Sequence, residues 1–182
     1  MEIDYTKFRW FFTSSGVLVI GGKSAENNEE VVKRAKDDDL VFHTEEPGSP
    51  FCLIVDDIEE TKEDIREAAV FCASLSQQWK KKKKEIDVGY FRGVQLKKSK
   101  GMKKGTFSVN GAIKKIKVVP KLYLTFQEGK LRCVPFETDI AMITPGDMKK
   151  EQAAEVISSK LKIKKEEVLG ALPSDNIEIK WL

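Results

Sequence analysis

The sequence predicts an α+β fold with a largely antiparallel mixed sheet, two main helices and a C-terminal helical segment. Short β-branched and aromatic runs separated by glycine-containing turns predict strands. Segments with apolar residues at helical spacing are interspersed among these runs without strict strand–helix alternation, which favours α+β over a parallel α/β arrangement. The length of 182 residues suits one compact unit.

The N-terminal third contains a hairpin, a helix and two further strands. Residues 8–22 form two apolar runs joined by a Ser-Ser-Gly turn, which predicts a hairpin with a positive φ at Gly16. Ser24 is the predicted N-cap of the first helix, which ends near the Asp37–Asp39 run. Residues 40–43 and 51–55 are predicted strands on either side of a loop with two prolines.

A second helix and a run of strands fill the middle of the chain. Thr61 and Asp64 form a predicted capping box, and one apolar face continues to Trp79, which predicts a single helix ending in the lysine run 80–84. Glycine-containing turns then separate five predicted strands of a β meander, at residues 86–96, 105–109, 113–119, 121–126 and 131–136.

The C-terminal segment is predicted to be mainly helical. Residues 144–147 read Thr-Pro-Gly-Asp, a helix-breaking sequence, and are followed by a third helix around Ile157 and a short fourth one stopped by Gly170 and Pro173. Residues 177–181 are a predicted last strand. We therefore predict a main domain at residues 1–144 and a helical extension at residues 145–182 that packs on it.

Several classes of protein are disfavoured by composition. The sequence has no apolar stretch of membrane-spanning length and no signal peptide, so we expect a cytoplasmic protein without a membrane partner. Its three cysteines, Cys52, Cys72 and Cys133, form no C-x-x-C pair, which argues against a disulfide scaffold and a zinc ribbon.

No catalytic or metal-binding constellation stands out. His43 is the single histidine, and a metal site with Glu45 and Glu46, or a Cys52–His43 catalytic pair, has no supporting spacing. The acids at 56–57 and 59–60 suit Mg²⁺ only if folding brings them together. We expect no metal, no cofactor and no enzymatic activity.

Charge is strongly segregated along the chain. Residues 26–67 carry 15 acidic against 5 basic residues, a net of −10, whereas residues 80–121 carry 15 basic against 2 acidic residues, a net of +13. The basic segment has 14 lysines and one arginine, a composition suited to backbone phosphate rather than to base edges. The alternative is a solvated lysine-rich face, and pairing with the acidic segment favours that alternative.

The basic segment therefore predicts a nucleic-acid interface. Aromatic residues interleave with its cations and are candidates for stacking on exposed bases. The cationic candidates are Lys80, Lys81, Lys82, Arg92, Lys97, Lys98, Lys100, Lys103, Lys104, Lys114 and Lys115, and the stacking candidates are Tyr90, Phe91 and Phe107.

A second candidate is the loop Gly21-Gly22-Lys23-Ser24 between a strand and a helix. Free backbone N–H groups in such a loop bind anions at some helix N-termini, but the loop matches neither the dinucleotide fingerprint nor the P-loop. A tight strand-to-helix turn is the favoured interpretation, with anion binding as the alternative.

Short motifs in a specific order resemble the RNA-binding domain of the NFACT proteins. They are Phe8-Arg9-Trp10-Phe11, Leu18-Val19-Ile20-Gly21-Gly22-Lys23, Asn28-Glu29, Val32-Lys33-Arg34, Phe42-His43, Gly48-Ser49, Val94-Gln95 with Lys98, and Gly105-Thr106-Phe107 with Gly111. The likeness covers about residues 8–117, and Ser24 and Lys97 depart from the family pattern toward a more cationic surface.

The resemblance implies a freestanding version of a module found in ribosome-rescue proteins, which engage the large ribosomal subunit and tRNA. It adds Asn28, Lys33, Arg34, His43 and Gln95 to the contact candidates, and it makes residues 1–144 an NFACT-type domain. We expect an RNA-binding protein that recognises tRNA or rRNA through lysine–phosphate contacts. A DNA-binding module and a protein-interaction adaptor that uses the acidic segment are the alternatives.

Overall fold

Twelve strands and five α-helices make up the computed structural model, which describes residues 3–55 and 59–182. The helices are α1 (Ala25–Arg34), α2 (Lys62–Ser74), α3 (Gln77–Lys80), α4 (Lys150–Leu161) and α5 (Lys165–Ala171). The strands are β1 (Arg9–Phe12), β2 (Leu18–Gly21), β3 (Leu40–Thr44), β4 (Cys52–Ile54), β5 (Ile86–Arg92), β6 (Leu96–Lys97), β7 (Ser108–Val109), β8 (Lys114–Val118), β9 (Leu122–Gln127), β10 (Lys130–Val134), β11 (Ala141–Met148) and β12 (Ile177–Trp181).

The larger sheet has six strands in the order β1-β2-β4-β3-β5-β8. Every pair in it is antiparallel, and the β1–β2 hairpin aligns Trp10 with Ile20. Gly16 has a φ of +89° in the turn of that hairpin, as the sequence predicts. The α+β class is confirmed.

Alternate residues of a strand point to opposite faces of the sheet, and different elements pack on the two faces. Phe11, Phe42 and Val88 pack in a core with the buried side of α2. Trp10, Val41 and Phe91 belong to a second core on the opposite face, which includes Val31 of α1. The β6–β7 hairpin also packs on this second face through Leu96 and Val109.

A second, four-stranded sheet has the order β10-β9-β11-β12. Its residues Leu124 and Ile143 share the α2 core with Ile157 of α4 and Val168 of α5. The last strand forms as predicted. The remaining two strands, β6 and β7, pair only with each other.

The predicted second helix is two helices. Its capping box forms, because the Thr61 Oγ1 accepts from the Asp64 N–H while the Asp64 carboxylate accepts from the Thr61 N–H. The helix ends at Ser74, and Ser76 caps the separate α3 by accepting from the Gln78 N–H at 3.1 Å. The continuous apolar face survives this break because Trp79 is fully buried in the same core.

The predicted meander is divided between sheets. Strand β5 ends at Arg92 in a short 3₁₀ turn, and β8 returns beside β5, but β9 and β10 belong to the four-stranded sheet. The β11 strand was not predicted, because Pro145 and Gly146 signal a break, whereas the structure accommodates them in a register shift between Pro145 and Met148. Similarly, Gly170 lies inside α5 and does not stop it.

The predicted boundary after residue 144 falls within β11. Both β11 and β12 flank that point in one sheet. The division of the chain into a main domain and an extension stays a prediction.

Candidate nucleic-acid interface

A cleft of about 680 Å³ opens on the α1 side of the six-stranded sheet. Gly89 and Phe91 of β5 and His43 of β3 line its sheet side. The register pairs His43 with Gly89, so the residue opposite the imidazole has no side chain. A side chain at Gly89 would also meet Ile113, because its Cβ would lie 2.9 Å from the Ile113 Cγ2.

Three further segments complete the cleft. They are the start of α1, residues 44–49 at the end of β3 and in the loop after it, and residues 104–107 ahead of β7. Phe51 and Phe107 meet edge-to-face at 5.5 Å, and the His43 ring lies 4.7 Å from the Phe51 ring. Ile113 is 42% exposed although it is a large apolar residue. The lining is thus mainly apolar and aromatic.

The surroundings of His43 favour its neutral form. Burial lowers the pKa of its imidazole, although the carbonyls of Thr44 and Ser49 oppose that shift. The Nδ1 atom lies 2.8 Å from the Thr44 carbonyl oxygen, which can only accept, so Nδ1 carries the proton. The Nε2 atom of this tautomer is a hydrogen-bond acceptor.

Asn28 connects α1 to the sheet and also lines the cleft. Its Oδ1 accepts from the Phe51 N–H at 3.2 Å. Gly22 makes this approach possible, because a Cβ there would lie 1.9 Å from the same oxygen. Within residues 3–55 and 59–182, no hydrogen bond engages the Asn28 Nδ2, so the amide keeps its donors.

Residues 97–107 form what we call the lysine loop. Glu29 of α1 anchors it, because its Oε1 accepts from the Lys98 Nζ at 2.6 Å and from the Gly105 N–H at 2.7 Å. The Lys98 ammonium also donates to the carbonyls of Lys103 and Thr106 and lies 4.6 Å from the centroid of the Phe107 ring. The Lys98 hydrogen bond lowers the pKa of Glu29, which keeps the anchor ionised. Lys98 is therefore an internal support of the loop.

Three lysines of this loop have no acidic partner. Among the described residues, no ion pair involves Lys97, Lys100 or Lys103, and all three are exposed. Lys104 also lines the cleft but pairs with Glu26 at 3.4 Å. The loop thus places unpaired positive charge next to the cleft.

Other predicted contact residues have partners within the protein. The Arg92 guanidinium lies 2.7 Å from both the Asp38 carbonyl oxygen and a Glu60 carboxylate oxygen. The Gln95 amide donates to the carbonyls of Asn110 and Ala112 and accepts from the Arg92 N–H. These side chains fix the turn between β5 and β6.

The two basic residues of α1 differ in their surroundings. The Arg34 guanidinium lies 5.3 Å from the centroid of the Phe8 ring, and Lys33 is exposed on the last turn. Both cations lie in the last turn of α1, where they interact favourably with the negative end of the helix dipole.

None of the lysines 80–84 lines the cleft. Lys81 and Lys83 pair with Glu46 at 3.5 and 3.2 Å, Lys80 lies 3.9 Å from Asp175, and Lys82 pairs with Asp147. On the edge strand β8, Lys115 lines the cleft and pairs with Glu45. Lys114 of the same strand points to the opposite face, beside Tyr90.

The three predicted stacking residues lie in different environments. Tyr90 stacks on Phe42 at 5.8 Å on the α2 side of the sheet. Phe91 lines the cleft but is only 4% exposed. Phe107 is half-buried in the cleft wall, so it is the one of the three that the structure places beside both the cleft and the lysine loop.

The backbone of the Gly21–Ser24 loop is used internally. The Gly22 N–H donates to the Phe51 carbonyl at 3.2 Å and the Lys23 N–H donates to the Asn27 Oδ1 at 2.9 Å. The Ser24 Oγ caps α1 by accepting from the Asn27 N–H. These bonds are those of a tight strand-to-helix turn.

Residues 3–55 and 59–182 contain neither a metal-binding cluster nor a membrane-spanning helix. No group of three or more His, Cys, Asp or Glu side chains suited to a metal occurs there. No helix in those ranges has the length and apolar character needed to cross a bilayer. Asp56 and Asp57, the sequence candidates for Mg²⁺, lie outside the described residues.

Comparison with known proteins decides the family. Residues 7–111 match the family described as the NFACT protein RNA binding domain. The chain belongs to this family. The match contains β1–β7 and therefore most of the cleft and the whole lysine loop, whereas Ile113 and Lys115 follow it.

Two curated relatives align with part of this chain. The chain is 36% identical over 113 residues to the archaeal Rqc2 homolog aRqcH of Methanocaldococcus jannaschii, an alignment that covers 59% of this chain and 17% of that protein. It is 35% identical over 78 residues to the ribosome quality control complex subunit NEMF homolog of Drosophila melanogaster, covering 41% of this chain and 8% of that protein. The chain thus spans a small part of each relative.

A solved structure has the same fold over part of its length. It is the C-terminal part of the fibronectin/fibrinogen-binding protein from Streptococcus suis, with a TM-score of 0.58 and 24% identity. The match covers 63% of this chain and 45% of that one. This likeness extends to the fold alone.

Sequence analysis missed several cleft residues. Phe51, Gly89 and Ile113 were not candidates for contact, because each appears in sequence as an ordinary strand residue. Gly89 carried one usable signal, since a glycine within a strand often marks a close approach by another group.

Proposed function

We propose that this protein is a non-enzymatic RNA-binding module that recognises tRNA or rRNA through contacts between lysines and backbone phosphates. Family membership supports RNA as the ligand. We infer the phosphate contacts from three exposed lysines of the lysine loop, Lys97, Lys100 and Lys103. Lysine is a flexible point charge that suits phosphate and does not by itself read bases.

The anchoring of the loop supports this role. A loop held to α1 by Glu29 through Lys98 and Gly105 presents its outer lysines in a fixed arrangement. Less ordering entropy is then lost when RNA binds. A shape-reading surface needs such pre-organisation because lysine side chains add little geometric selectivity of their own.

We propose the cytoplasm as the site of action and the large ribosomal subunit as a partner. One curated relative is by name a homolog of a ribosome quality control complex subunit, and the other is an Rqc2 homolog. Because the chain covers 17% and 8% of those proteins, the proposal concerns this RNA-binding portion and not their complete activity.

The test compares two triple variants of equal charge change. One is Lys97→Ala/Lys100→Ala/Lys103→Ala, and the control is Lys130→Ala/Lys149→Ala/Lys164→Ala, three exposed lysines of the second sheet and the α4–α5 region. Fluorescence anisotropy with tRNA, an rRNA hairpin, a single strand and duplex DNA at several salt concentrations gives the slope of log K against log salt.

Each lost phosphate contact lowers the magnitude of that slope by about 0.7–0.9. We expect the loop variant to lose about 2–3 units and the control to retain the wild-type slope. Equal slopes for the two variants would contradict the placement of the interface, and duplex DNA that competes as well as structured RNA would favour a DNA-binding module instead.

A further inference from the structure

We propose that the cleft beside the lysine loop receives one unpaired nucleotide of the bound RNA, with its base placed against the aromatic wall and the exposed Ile113 side chain. The inference rests on the proposed function and goes beyond phosphate contact, since it assigns a base-binding subsite to the module. It also identifies unpaired regions of a structured RNA, and not a continuous duplex, as the element recognised.

The size and lining of the cleft suit a base. Its volume of about 680 Å³ falls within the roughly 300–1,000 Å³ usual for sites that take small organic groups. Phe107 supplies a ring surface, and Ile113 supplies an exposed apolar wall. Bases that leave a stack are commonly received on aromatic side chains.

Two polar groups are available for the edge of the base. The Asn28 amide is oriented by its Oδ1, which holds the Phe51 N–H, and so it offers Nδ2 as a donor. His43 donates from Nδ1 to the Thr44 carbonyl, so its Nε2 is an acceptor. A donor and an acceptor on fixed side chains suit the mixed edge of a nucleobase, whereas a purely apolar ligand leaves both unused.

Charge at the rim favours a nucleotide over a neutral ligand. Lys104 and Lys115 line the cleft, and each pairs with an exposed acid, Glu26 and Glu45 respectively. Exposed ion pairs contribute little to stability, so these lysines can exchange a carboxylate for a phosphate at small cost. Residues 104–107 belong to both the lysine loop and the cleft wall, so one RNA strand can follow the loop and reach the cleft.

The experiment has two arms. One fills the cleft with a larger side chain, and the other removes single bases from the RNA. Ile113→Trp places a ring in the cleft, and Val119→Trp is its control, because Val119 is 56% exposed and does not line the cleft. Each protein is titrated with an RNA stem-loop that binds the wild type, and with versions carrying an abasic nucleotide at each loop position in turn.

We expect Ile113→Trp to weaken binding about 5- to 150-fold, the range that loss of one stacked base produces, without changing the salt slope. An abasic nucleotide at one position should weaken wild-type binding similarly and have little further effect on Ile113→Trp. Val119→Trp should bind as the wild type does. Matching thermal midpoints of the two tryptophan variants exclude misfolding as the cause.

The outcomes separate this inference from the proposed function. If no abasic position and no cleft variant alters affinity while the triple lysine variant still loses salt dependence, the base-binding subsite is wrong and the phosphate interface stands. If the wild type binds no RNA, both are wrong.

Discussion

Replacing two glycines of the lysine loop by alanine provides a direct test of how the loop is held. Gly105 and Gly101 have φ angles of +77° and +88°, so an alanine at either position adopts an unfavourable backbone conformation. At Gly105 the new Cβ would also lie 2.8 Å from the Cα and 2.9 Å from the carbonyl oxygen of Ala25 in α1. At Gly101 nothing lies within 4 Å.

The expected magnitudes follow from this difference. A positive φ costs an L residue about 1–2 kcal/mol, which applies to both variants. Overpacking against backbone atoms that cannot move aside adds about 1–3 kcal/mol at Gly105 alone. Gly105→Ala should therefore destabilise the native loop by about 2–5 kcal/mol. Part of this cost is relieved if the loop separates from α1 and loses the bond from the Gly105 N–H to Glu29.

Denaturant titration measures destabilisation of the whole protein, and amide hydrogen exchange measures local separation of the loop from α1. We expect Gly105→Ala to lower the unfolding midpoint more than Gly101→Ala does, or to release protection of the amide at position 105 while leaving β5 protected. Its RNA-binding salt slope should fall toward that of the triple lysine variant. Equal stability, equal amide protection and equal RNA affinity of the two alanine variants would refute the anchored-loop explanation.

Three further predictions concern single side chains. Burial lowers the pKa of His43 below its ordinary value of 6.5. The stability that the neutral imidazole contributes is therefore complete above pH 6.5 and is lost as the pH falls through the folded-state pKa. NMR of this single histidine measures that pKa. Burial lowers the pKa of Lys150 to about 8, with Arg9 contributing, so stability should rise between about pH 8 and 10.5, and Lys150→Met should remove that rise in denaturant titrations. Asp64→Ala should cost about 2–4 kcal/mol in denaturant unfolding, because it removes a helix cap and leaves the buried Thr13 hydroxyl without its acceptor, whereas Asp64→Asn should cost less.

Local signals explain which elements the sequence predicts well. The β1–β2 hairpin, the Ser24 cap and the Thr61–Asp64 capping box each depend on residues within a few positions of one another. The β11 strand depends on pairing with β12 about 30 residues later, which outweighs the breaking tendency of Pro145. Short-range patterns carry no information about such a pairing.

The cleft illustrates the same limit for function. His43 was a candidate because of the family resemblance, but Gly89 becomes its neighbour only through the β3–β5 register, across 46 positions of sequence. Phe107 precedes β7 in the sequence and Ile113 follows it, yet both line the same cleft. The residue types were visible in sequence, whereas their convergence required the sheet order.

Charge segregation in the sequence becomes charge pairing in the fold. Glu45 and Glu46 of the acidic segment neutralise lysines of the basic segment, and Glu29 turns Lys98 into an anchor. Glu26 and Glu60 of the acidic segment likewise pair with Lys104 and Arg92 of the basic one. What remains unpaired within the described residues includes Lys97, Lys100 and Lys103, so the small net charge of +3 conceals a local cationic surface next to an aromatic cleft. Because counterion release depends on local charge and not on the net value, the salt slope of the wild-type protein should reflect the lysines that face the RNA and not all 15 cations of the basic segment.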